Sequence, residues 1–168
     1  KFECHVGMYY THWVTEMAGL RFDVLAFIPR GGSELVRRYR VTNLGKDPVQ
    51  VDLVPIVEFT HFDALKQLTN ADWVPQTMQS HAIKAADGRT AIAEYAFMKR
   101  DYAVNVFVAN RDPVAYETDR KRFLGDNEYG TWREPLSLRA ERLSSRDSVR
   151  GDAIAALQFD LGVVKPGE

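Results

Sequence analysis

The sequence predicts an all-β fold, a large antiparallel β-sandwich with one short helical segment. Three observations carry this reading. Apolar and polar residues alternate with period two along the first two thirds of the chain, β-branched and aromatic residues fill those segments, and strands do not alternate with long helical stretches. The 168 residues suit one large sandwich, and residues 1–168 are read as a single domain.

The elements follow in order. Phe2 to Val6 alternates from the outset, and Met8-Tyr9-Tyr10-Thr11-His12-Trp13 continues as sheet. Leu20 to Ile28 is a strand stopped by Pro29-Arg30-Gly31-Gly32. Glu34 to Val41 and Val49 to Phe59 flank the turn residues Thr42 to Pro48, which predicts an antiparallel hairpin between them. In the second arm Val49, Val51, Leu53 and Val57 share one face, Gln50, Asp52 and Glu58 the other, and Pro55 marks an edge or bulge. Phe62 to Leu68 has helix formers and no turn residue, so the short helix is placed there. Asp87-Gly88 joins strands Gln79–Ala86 and Thr90–Met98, and Tyr102 to Ala109 adds another. Asp112 to Arg150 thins into Gly, Pro, Arg, Asp and Ser and reads as a long functional or mobile insert before a last apolar strand, Ala153 to Leu161. That makes about eight strands. A strand at the very start and Pro166-Gly167 at the very end lead to the expectation that the domain is truncated at both ends.

Charge and composition narrow the function. Lys and Arg number 22 against 23 Asp and Glu, a net charge of −1, so nothing gathers nucleic acid or anionic lipid. Cys4 is the one cysteine, which excludes an intramolecular disulfide and fits the cytoplasm. No run of about 18 apolar residues and no signal pattern at Lys1 to His5 point to a membrane.

Chemistry-bearing clusters are sparse. His5, His12, His61 and His81 lack the spacing of a helical zinc site, and His61 beside Glu58 and Asp63 fits a surface histidine better than a metal ligand, so no metal is expected. The carboxylate pairs Glu16 with Asp23 and Asp63 with Asp72 suggest glycoside chemistry only if space brings them together. Neither a nucleophile elbow nor a phosphate loop occurs, and no catalytic residue is assigned. Trp73 and Trp132 fall in irregular segments, where an indole face suits a sugar ring or a partner, while core packing is the commoner fate of such a ring; Trp13 reads as half-buried sheet.

Six segments in order carry a resemblance: Gly7-Met8-Tyr9-Tyr10-Thr11, Ala18-Gly19-Leu20, Phe27-Ile28-Pro29, Val41-Thr42-Asn43-Leu44, Val57-Glu58-Phe59 and Thr118-Asp119-Arg120-Lys121-Arg122-Phe123-Leu124-Gly125. Together they resemble the N-terminal sandwich domain of the cellobiose and chitobiose phosphorylases, glycoside hydrolase family 94, with its Gly-x-x-Tyr-Thr start and Thr-Asp-Arg-x-x-Phe-Leu-Gly segment. Ala18 stands where the family has Asn in an Asn-Gly-Ile turn. The resemblance implies a galactose-mutarotase-like super-sandwich without catalytic residues. It implies further that the domain packs on an (α/α)6 barrel, helps form a homodimer and borders a site for a β-linked disaccharide or oligosaccharide. The barrel supplies the acid, inorganic phosphate is the co-substrate, and no cofactor is needed. In that frame Asp119, Arg120 and Phe123 are read as a docked segment at an interface or active-site rim, Arg120 paired to a carboxylate and Phe123 filling a pocket, with a solvated charged loop of local role as the alternative. A free-standing carbohydrate-binding module and an aldose-mutarotase-like enzyme are the rival readings.

Overall fold

The computed structural model describes residues 1–58, 78–96, 104–125, 132, 134–151 and 153–168. Among them twelve strands form three four-stranded sheets: β1 (Phe2–Gly7), β2 (Tyr10–Met17), β3 (Leu20–Phe27) and β4 (Val36–Asn43) in that order; β10 (Ala115–Asp119), β12 (Ala153–Val164) and β5 (Val49–Leu53), with β6 (Ile56–Val57) also on β12; and β11 (Ser148–Gly151), β7 (Met78–Lys84), β8 (Thr90–Ala96) and β9 (Asn105–Phe107). The chain divides into two compact units, Lys1–Val51 with Leu161–Glu168, and Asp52–Asp160.

The first unit is built on a meander of β1 (Phe2–Gly7), β2 (Tyr10–Met17), β3 (Leu20–Phe27) and β4 (Val36–Asn43). Register sorts its side chains. Cys4 opposes Trp13, Trp13 opposes Val24 and Val24 opposes Tyr39, so one face runs through Phe2, Val6, Phe22 and Val41 as well. The other face carries Glu3, His5, His12, Glu16, Arg21 and Asp23. Two-residue loops join the first three strands, and the second is Ala18-Gly19, with φ of 52° and 76°. Positive φ at both central positions is what a type I′ hairpin turn requires, because its twist matches that of the strands.

The predicted hairpin between the fourth and fifth strands does not form. β4 pairs with β3, whereas β5 (Val49–Leu53) joins the sheet of β12 (Ala153–Val164). Asn43 redirects the chain. Its buried side chain donates to the carbonyls of Asp47 (2.8 Å) and Val164 (3.0 Å) and accepts from the Gly45 N–H (2.8 Å), pinning the link to the end of β12. Pro55 interrupts the predicted long second arm, leaving β6 as Ile56–Val57, and its carbonyl accepts from the Leu157 N–H.

In the second unit the hairpin expected at Asp87-Gly88 forms: β7 (Met78–Lys84), which ends two residues before the predicted Ala86, pairs with β8 (Thr90–Ala96). The Gly88 N–H donates to Ala85 and its φ is 83°, so a tight turn followed by a left-handed residue closes the loop. The next expected strand is shorter than predicted, β9 being Asn105–Phe107; Tyr102 itself lies outside the described residues, as does the expected helix at Phe62 to Leu68.

The segment Asp112 to Arg150 is not an irregular insert. It holds β10 (Ala115–Asp119), the helix α1 (Arg120–Leu124), a 3₁₀ turn at Leu136–Arg139 and β11 (Ser148–Gly151). β10 escapes sequence reading because its inward residues include Glu117 and Thr118, polar but fully buried. β12 is buried continuously from Ala153 to Phe159, so both its faces are covered. Ile154 and Ala156 pack with Ala115, Phe123, Leu124 and Leu143, and Val54 and Ile56 lean on that cluster. Gln158 secures the surrounding loops, donating to Asp52 and to the Glu141 carbonyl while accepting from the Leu143 N–H.

Candidate functional site

The candidate site is assembled where β10 runs into α1. A register shift between Glu117 and Asp119 interrupts the pairing with β12, which resumes with Asp119 opposite Ala153. Asp119 then caps the helix, its carboxylate accepting from the Arg122 N–H at 2.8 Å. Gly125 ends it at φ 79°, with its N–H on the Lys121 carbonyl. A β-carbon on Gly125 would lie 2.8 Å from that of Leu136, so glycine also serves the close approach of the 3₁₀ turn.

Spacing along the short helix places Arg120, Phe123 and Leu124 on one side. Phe123 is 0% exposed within the core cluster, its ring 5.8 Å from that of Trp132. Arg120 carries its guanidinium over the same indole, 5.6 Å from the centroid, and its Nε donates to Glu58 Oε1 at 2.6 Å. Trp132 is 40% exposed, and the side chains of Arg120 and Glu58 are 25% and 47% exposed. The result is a rim of cation, carboxylate and aromatic ring, backed by a core phenylalanine.

Behind the rim lies a buried carboxylate. Glu117 Oε1 accepts from the Thr118 and Asp119 N–H groups (2.9 and 3.0 Å) and from Arg122 Nε and Nη2 (3.1 and 2.8 Å), while Oε2 accepts from Ser144 Oγ (2.6 Å). Nearby, burial pushes the Tyr116 phenol above its ordinary value, helped by the Asp147 carboxylate.

Of the residues the sequence singles out, Arg120 and Phe123 both lie against Trp132 and Asp119 caps the helix that carries them; Trp73 lies outside the described residues. Two roles change. Phe123 is no anchor for a foreign pocket, because its pocket is the core of its own chain. The carboxylate of Arg120 is Glu58, 62 residues earlier in the same chain. Glu117, Arg122 and Ser144 were missed, and the residues offer no local signal for them, since a glutamate in a strand usually faces water. The pair Glu16 and Asp23 meets around Arg21, at 3.6 and 2.8 Å, and is an ion-pair cluster. Asp63, Asp72 and His61 lie outside the described residues. Among those described, no group of three or more His, Cys, Asp or Glu is placed to hold a metal ion, and no helix is long and apolar enough to cross a membrane.

Residues 1–168 match the family described as glycosyl hydrolase 94, supersandwich domain. The chain belongs to it. No curated protein matches the chain. The family match spans both compact units. Within this supersandwich domain the rim at Arg120 and Trp132 is the one place where a charged fork, a carboxylate and an exposed indole converge among the described residues.

Proposed function

We propose that this supersandwich domain is the binding and assembly part of a cytoplasmic inverting phosphorylase of β-linked glucosides, and that its Arg120–Trp132 rim docks on the catalytic barrel or a second subunit beside the substrate. The observation that carries this reading is the family match over the whole chain, joined to a rim whose charged and aromatic groups reach solvent. In such an enzyme one acid protonates the glycosidic oxygen while a phosphate oxygen attacks the anomeric carbon from the opposite face. Phosphate is already anionic, so no general base is required. The sandwich positions and encloses. The Arg120–Glu58 pair suits a docking role because a partly exposed ion pair is worth only about 0–1 kcal/mol and exchanges readily for a partner's carboxylate or phosphate.

Two measurements test the proposal. The purified chain, given cellobiose, chitobiose, laminaribiose or sophorose with phosphate, is expected to release no sugar 1-phosphate. In the full-length enzyme Arg120→Lys, which keeps the charge and loses the fork, is expected to weaken dimerisation or raise the Michaelis constant. Wild-type assembly and kinetics in that variant would make the rim purely local structure. The exposed indole also favours direct sugar contact, and calorimetry with cellobiose and longer β-glucans on this chain separates that reading from docking.

A further inference from the structure

We propose that Glu117 is the positioning residue of this rim: its buried carboxylate fixes the β10–α1 junction and so holds Arg120 over Trp132. The inference rests on reading the rim as functional, but its mechanism lies wholly within the second unit. Glu117 is 0% exposed and receives donors from three places, the backbone that follows it, the guanidinium of Arg122, and the hydroxyl of Ser144 in the loop before β11.

A buried carboxylate is costly to desolvate, and well-packed neutral residues serve stability as well or better. What the arrangement supplies here is direction. Arg122 is gripped by Glu117, lies 3.7 Å from Asp119, and donates to the carbonyls of Arg146 (3.1 Å) and Asp147 (3.4 Å). The buried side chains of Phe123 and Leu124 anchor one side of the five-residue helix in the core. The grip of Glu117 on Arg122 fixes its opposite side. Arg120 precedes Arg122 by two positions, about 200° around the helix, so turning Arg122 toward the loop turns Arg120 toward Glu58 and Trp132. Ser137 Oγ, on the Arg122 carbonyl at 3.1 Å, ties the helix to the 3₁₀ turn.

The experiment is fluorine NMR of this chain labelled with 5-fluorotryptophan, the resonances of Trp13, Trp73 and Trp132 assigned by single Trp→Phe variants. Arg120→Gln defines how far the Trp132 resonance moves when the guanidinium leaves the ring. Glu117→Gln preserves shape and removes the charge that grips Arg122, so its Trp132 resonance is expected to move toward the Arg120→Gln position while that of Trp13, in the other unit, stays. A Trp132 resonance at its wild-type position in folded Glu117→Gln overturns the proposal. Should that variant not fold, Ser144→Ala removes a single donor to Oε2 and is expected to shift Trp132 in the same direction; no shift there overturns it equally. These readouts need no partner, so failure of docking in the full-length enzyme and failure of positioning are separate results.

Discussion

Ala18 sits at φ 52° in the β2–β3 turn, where a β-carbon crowds the backbone and glycine or asparagine is the usual solution. Relief of that crowding exceeds the extra chain entropy of glycine, so Ala18→Gly is expected to stabilise the chain by about 0.5–1 kcal/mol. A rise in the urea midpoint at unchanged slope is the check, and a fall would show that the turn relaxes around alanine. Phe123 illustrates the opposite case, a residue whose surroundings are complete within the chain. Truncation to alanine is expected to cost about 3–5 kcal/mol of folding stability, against about 1 kcal/mol or less for Arg120→Lys at the surface. Equal urea midpoints for the two variants would contradict the burial of the ring.

At the scale of elements, hydrogen bonds made outside the ladders decide how strands are joined. Asn43 makes three side-chain hydrogen bonds, and its backbone exchanges two more with Gly167 and Glu168. Asn43→Ala leaves buried polar groups without their partner and is expected to lose about 2 kcal/mol or more. Hydrogen exchange at the Gly45 amide, which loses its acceptor, should accelerate with it; unchanged protection there would mean that the link is held by other contacts. The β2–β3 pair carries an acid-sensitive contact. Hydrogen bonding to Arg21 holds the Asp23 carboxyl below its ordinary value against the opposing effect of burial, with further help from the Arg21 and His12 charges. A depressed folded-state value adds stability that is present above the unfolded carboxylate range and lost as pH falls through the folded value. Stability is therefore expected to drop on acidification below about pH 4, and less steeply in Asp23→Asn. Parallel urea titrations at neutral and acidic pH measure the difference, and identical slopes in both proteins would rule the contact out as a source.

For the molecule as a whole, the apolar residues left at the surface matter most. Phe2, Val6, Met8, Tyr9 and Met17 are all well exposed on the first two strands and their turns. Apolar surface of this kind favours association, and the chain is expected to self-associate with rising concentration, more weakly when Phe2 and Val6 are both replaced by Thr. Light scattering of a strict monomer at high concentration would refute this.

What the residues determined alone was local. Period-two alternation laid out β3 and, less cleanly, β4, Asp87-Gly88 placed the hairpin of β7 and β8, and the Thr118–Gly125 segment held Arg120 of the rim and Phe123 behind it. Tertiary structure decided the rest. Only in three dimensions does Glu58 reach Arg120, does Asn43 send β5 to β12 instead of back along β4, and do the polar Glu117 and Thr118 of β10 become fully buried. The physical reason is the same in each case. Alternation and turn chemistry act between residues a few positions apart, whereas a buried polar group is acceptable only where distant parts of the chain bring it donors and acceptors.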